Sequence, residues 1–118
     1  MAKVLLIDGD QERLDATQRA LEGAGYEIAL ATSGSFALTM LEWDRPDLVA
    51  SQAYIPDVDG YELCAIIRSD PKTKDLPFLL LAGPRGPAAG AASRAGVDMV
   101  LAGNFNPADV VASVRRMV

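Results

Sequence analysis

Short apolar runs along this chain are each followed by a stretch in which apolar residues recur every three or four positions. Residues 3–7, KVLLI, form a short run that is apolar after Lys3, as suits a strand buried on both faces, and they end at Asp8, Gly9 and Asp10. Asp10 is placed to cap a helix running to about Glu22, with Leu14, Thr17 and Leu21 on its inner face. Gly23 and Gly25 stop that helix, and residues 26–31 predict a second strand. Ser33 or Ser35 caps the next helix, in which Phe36, Met40 and Leu41 stand at helical spacing. Residues 48–51 predict a third strand, followed by a loop containing Pro56 and a helix from about Gly60 to Arg68.

Residues 77–82 lack alternation and predict a buried fourth strand. After them, Gly83, Pro84, Gly86, Pro87 and Gly90 weaken any helix, since an interior glycine costs about 1 kcal/mol relative to alanine. A mobile connection and a short helix beginning near Pro87 are expected there. Residues 97–101 predict a fifth strand. Asn106, Pro107 and Asp109 then supply a cap, a first-position proline and a first-turn acid, and Val110, Val114 and Met117 give the last helix an inner face. Strands alternating with helices over short connections imply a parallel sheet with helices on both faces. Five such units point to an α/β, flavodoxin-like, doubly wound sheet of order 2-1-3-4-5, whose crevice opens at the carboxyl ends of strands one and three, where Asp8 and Gln52 would meet.

Residues 46–63, PDLVASQAYIPDVDGYEL, carry an apolar strand, a proline four residues after Gln52, and a turn closing on Asp59-Gly60. Together with the strand leading into Asp8 and the stretch ELCAIIRSDPKTKDLPFLLL, this frame resembles the receiver domain of two-component response regulators over essentially the whole chain. The resemblance implies that Gln52 stands where the family has its phosphoacceptor aspartate. It likewise aligns Asp8 with the first and Gly9 with the second of two acidic residues, the second usually holding magnesium. Ala82 falls at a Thr or Ser, Gly103 at a lysine, Asn104 at the proline after it, and Val100 at the switch aromatic. An amide is a very poor nucleophile, so these replacements imply a degenerate phosphorylation site.

A phosphorylation-independent pseudo-receiver is therefore expected: a signalling or interaction module of a two-component or phosphorelay system, without catalytic residues, bound metal or cofactor. Its expected partner is a protein or an attached output domain, with the chain a monomer or weak homodimer. Residues 1–118 read as one domain, expected to be the N-terminal module of a longer protein, as receivers usually are. The alternative is an atypical receiver that is still phosphorylated, or that responds to a small ligand at the strand-end crevice.

Composition agrees with one small domain. The 118 residues are 50% hydrophobic and 23% charged, which is ordinary for a globular protein. A net charge of −5 with scattered Lys and Arg argues against direct nucleic-acid binding. No apolar run approaches the roughly 20 residues of a membrane span, and no leader pattern is present, so a cytoplasmic location is expected. The chain has no histidine, which excludes Ser-His and Cys-His pairs, and the lone Cys64 reads as a small, partly buried apolar residue. Asp57 and Asp59 read as turn residues rather than substitute phosphoacceptors, and they lack the frame of a calcium loop. Trp43 and Tyr54 are candidate exposed contact residues.

Overall fold

The computed structural model describes residues 1–88 and 90–118. Strand β1 (Lys3–Ile7) leads to helix α1 (Gln11–Gly23), and β2 (Glu27–Ala31) to α2 (Gly34–Trp43). Next come β3 (Leu48–Gln52) with α3 (Gly60–Ser69), β4 (Phe78–Gly83) with α4 (Ala91–Ala95), and β5 (Met99–Ala102) with α5 (Pro107–Met117). All strand pairs are parallel, and the order β2-β1-β3-β4-β5 is that of the flavodoxin-like fold.

Because side chains alternate across a strand, the central strands serve two cores at once. Leu5, Ile7, Val49, Phe78 and Leu80 pack on one face with Ala37 of α2, Leu63, Cys64 and Ile67 of α3 and Ala95 of α4. Val4, Leu6, Leu48, Ala50, Leu79 and Leu81 pack on the other with Leu14 and Leu21 of α1 and Val110 and Val114 of α5. Each fully buried Val, Leu, Ile or Phe side chain among them contributes about 1.5–3 kcal/mol of transfer free energy. This two-sided burial is why the strands read as unbroken apolar runs.

Helix starts follow the expected chemistry. Asp10, Ser33 and Asp59 accept hydrogen bonds from the backbone N–H groups of Arg13, Phe36 and Glu62, and Asn106 and Asp109 form a reciprocal capping box. Two local expectations are corrected. Phe36 is 52% exposed, because Ala37 rather than Phe36 turns toward the sheet at the start of α2. Helix α4 begins at Ala91 instead of near Pro87: Gly90 precedes it in the left-handed region without a side-chain cap, and Gly83 and Gly86 also have positive φ, so the glycines delay the first helical turn.

Arg68 stitches the amino-terminal end of the sheet. Its guanidinium donates to the carbonyls of Gly96, Lys74 and Leu76 and to Asp98, whose carboxylate also accepts from the Phe78 N–H. Cys64 packs nearby with no solvent exposure, and burial raises its thiol pKa to about 11.

Native Cys64 should therefore resist iodoacetamide at mildly alkaline pH while the unfolded chain reacts. The sign for stability follows from the raised pKa. The unfolded thiol ionises near its ordinary value while the folded one stays protonated until about 11, so this contribution is intact below the unfolded value and lost as pH climbs between the two. Urea midpoints of the wild type falling more steeply over that window than those of Cys64→Ala would bear this out; identical slopes would contradict it.

Candidate functional site

Parallel strands place their carboxyl ends together, and the register brings the residues singled out by sequence to one pole. Ile7 pairs with Ser51, so Asp8 and Gln52 follow on adjacent strand ends. Gln52 pairs with Leu81, and the following Ala82 is the extra residue of a bulge between Leu81 and Gly83. Gly103 donates its N–H to the Gly83 carbonyl at 2.8 Å, both residues in the left-handed region, which closes the ends of β4 and β5 with a backbone bond. Asn104 is exposed in the loop beyond. Val100 is set apart from this group: it pairs with Leu80 within β5 and is 36% exposed.

Asp8 is buried, with 2% exposure. Its Oδ1 accepts from the Asp10 N–H at 2.9 Å and from Arg13 Nη2 at 2.7 Å, and its Oδ2 accepts from Arg13 Nε at 2.6 Å. The carboxylate is thus met by a two-pronged guanidinium, a geometry with roughly twice the strength of a neutral hydrogen bond. The bond to Asp8, opposed by partial burial, raises the Arg13 pKa above its ordinary value. Asp10 is a half-exposed neighbour 4.0 Å from Arg13 and is committed to capping α1.

Gly9 has no side chain to offer, and there is little room for one. A Cβ built there would lie 2.9 Å from Pro56 Cδ, closer than real contacts allow. Gln52 is 9% exposed and presents a neutral amide. This donor set does not fit magnesium, which takes near-octahedral oxygen ligands, carboxylates first among protein groups. Both Asp8 oxygens already accept from a cation, and among the described residues no three His, Cys, Asp or Glu side chains converge.

The loop after β3 is pinned beside this pole. Asp57 has φ +63°, and its carboxylate accepts from the Ser35 N–H and hydroxyl and from the Val58 N–H. These bonds, the Ser35 hydroxyl foremost, hold its pKa below the ordinary carboxylate value. Asp59 caps α3. Both acids are accounted for by loop and helix geometry. Beside Asp59 opens a 530 Å³ depression walled by Gly9, Asp10, Arg13, Tyr54, Pro56 and Asp59 among others, with none of Asp8, Gln52 and Asp57 among its walls. Tyr54 is 64% exposed and meets Tyr61 edge to face at 6.2 Å, and the Tyr61 hydroxyl accepts from the Ala88 N–H at 2.8 Å. Trp43, 85% exposed, stands at the opposite end of the sheet beside Lys3 and Pro46, lining a 190 Å³ cavity.

Arg13 is the residue that sequence reasoning missed. It occupies the third position of α1, where the helix dipole favours acids and a capping box would place Glu or Gln. A basic residue in that place is the signal that something opposite holds it.

The sequence matches the response regulator receiver domain family over residues 4–115. It is 37% identical over 81 residues to the transcriptional regulatory protein AfsQ1 of Streptomyces coelicolor, covering 69% of this chain and 35% of AfsQ1. The match thus spans about a third of that relative's own length. The structure superposes with a TM-score of 0.90 on the chemotaxis response regulator CheY4 of Vibrio cholerae, at 26% identity and covering 100% of this chain and 99% of that one. It also shares its fold, with a TM-score of 0.87, 22% identity and coverage of 98% and 96%, with the receiver domain of the Pseudomonas aeruginosa sensor histidine kinase PA1611, which has magnesium coordinated in its active-site cleft. Strand order, the Asp8 strand end, the proline-bearing loop and the length of the match agree: this chain belongs to the response regulator receiver domain family.

Proposed function

We propose that this receiver domain signals without aspartyl phosphorylation, as a pseudo-receiver whose output is contact with a protein partner or an attached output domain. The observation that carries this reading is the pairing of Gln52 at the end of β3 with an Asp8 carboxylate occupied by Arg13. Phosphoryl transfer to a receiver needs a carboxylate nucleophile and cationic stabilisation of the transferring group. At the positions that the family uses, Gln52 supplies no nucleophile, Gly9 no metal ligand, Ala82 no hydroxyl and Gly103 no cation. Val100 brings no aromatic ring, and Asn104 continues the loop in place of proline.

Receivers are signalling modules, and a match to only 35% of AfsQ1, a transcriptional regulatory protein, supports a receiver joined to an output segment, which we place after it. Among the described residues no helix is long and apolar enough to cross a membrane. Exposed Tyr54 beside the crevice is the residue we assign to partner contact, in a monomer or weak homodimer working in the cytoplasm without a cofactor. A second reading, response to a small ligand, has one observation in its favour, the open depression beside Tyr54. A ligand there should shift the amide signals of residues 54–59 without adding mass.

Incubation with acetyl phosphate and magnesium should leave the intact mass unchanged, and Gln52→Asp should not become a working switch. Even if that variant gained the mass of a phosphoryl group, its amide spectra should show no change reaching α5. Stoichiometric modification of the wild type would overturn the reading, and spreading shifts in the variant would show that the remaining replacements are tolerated.

Restoring the second acid carries its own penalty. Gly9→Asp pushes a Cβ against Pro56, so overpacking should lower stability by about 1–3 kcal/mol. Urea unfolding checks this. Because the loop is the part that must yield, Gly9→Asp combined with Pro56→Ala should recover much of the loss.

A further inference from the structure

The receiver family implies a metal at the end of β1, and the residues there do not fit one. Resting on the phosphorylation-independent reading, we propose that Arg13 is a resident counterion that does for Asp8 what a divalent cation would otherwise do, so that the pole of this domain is assembled without metal. Several features converge on this assignment. Asp8 is nearly completely buried, and an isolated buried carboxylate is strongly destabilising unless a charge and hydrogen bonds compensate it. Arg13 supplies both with its Nε and Nη2, while its side chain as a whole stays half exposed.

Guanidinium suits this task where ammonium would not: it is planar, permanently charged and presents two parallel donors to one carboxylate. The location of Arg13 on the helix argues in the same direction. A cation in the first turn of α1 opposes the helix dipole, so the local preference of α1 does not explain it and the ion pair does. Gly9 with Pro56 packed over it leaves no second acid at the strand end, so one fixed positive charge balances the buried negative one. A magnesium ion could reach Asp8 only by displacing Arg13 from both carboxylate oxygens, so the weak seat that Asp8 and the nearby Asp10 could offer it opens only when Arg13 is removed.

The test uses Arg13→Met, which keeps an unbranched, helix-compatible side chain and removes the fork, and the double variant Asp8→Asn/Arg13→Met. Manganese serves as a paramagnetic probe of the Gly9 and Asp10 amides, and melting temperature is read with and without magnesium. In the wild type those amides should not broaden selectively in millimolar metal. Arg13→Met should bind manganese at least tenfold more tightly than the wild type and melt at least about 4 °C lower without metal. Magnesium should restore part of that loss. The double variant should regain the wild-type melting temperature and lose the metal response, since a buried ion pair replaced on both sides is often neutral in stability.

If Arg13→Met fails to fold while the double variant folds, that rescue supports the counterion role. Neither variant folding, a melting loss that Asp8→Asn does not rescue, or no gain in metal binding would each overturn it. The outcomes are separable from those of the phosphorylation-independent reading. Phosphate uptake by the wild type would appear in the intact mass, whereas the counterion role stands or falls on melting and metal data from the variants.

Discussion

A carboxylate at the buried end of a central strand must be neutralised, and much of the geometry at this pole follows from how that is done. Asp8 leaves β1 between two neighbouring strands and under α1, where water reaches little of it. The compensation comes from five residues along the chain, through Arg13, with the Asp10 N–H completing the set. This requires α1 to begin immediately after a short turn, so that its first turn overhangs the strand end. Asp10 fixes that start by capping the helix, and its cap bond is to the N–H of Arg13 itself. Helix initiation and charge compensation are therefore one local construction.

The remainder of the pole is built from backbone more than from side chains. Gly83 and Gly103 close β4 and β5 with a direct hydrogen bond, and the loop after β3 hangs from Ser35 through Asp57. Polar side chains at such a pole usually serve ligands or moving phosphoryl groups. Here the carboxylates are spent on capping, on loop pinning and on an internal ion pair. That distribution is the ground on which the phosphorylation-independent proposal rests.

How much of this was legible in the sequence depended on the range of the interaction concerned. The strands were readable because burial on both faces demands apolar residues at every position, and Val4 through Ile7 and Phe78 through Leu81 meet that demand. Helix starts were readable because Asp10, Ser33 and Asn106 each act within three residues of themselves. The meeting of Asp8 and Gln52 on adjacent strand ends followed from topology alone. Phe36 misled because helical spacing is satisfied by two neighbouring residues, and only the docking of α2 decides that Ala37 faces inward. The start of α4 was obscured by three positive-φ glycines, whose turns have no periodic signature.

Arg13 was illegible for a different reason. An Asp and an Arg five apart do not share a helix face, so no pairing rule for regular structure connects them. They meet because Asp8 lies just past the end of β1 and Arg13 is already in the first turn of α1, and the bend at Gly9 folds one back over the other. The same turn explains why a side chain at Gly9 is crowded: with α1 drawn over the strand end, Pro56 closes in from the other side. Ion pair, bare glycine and proline contact are thus mutually consistent, and changing one alone leaves the others in conflict with it. A single substitution toward the family's usual residues meets a pole already arranged around a different cation.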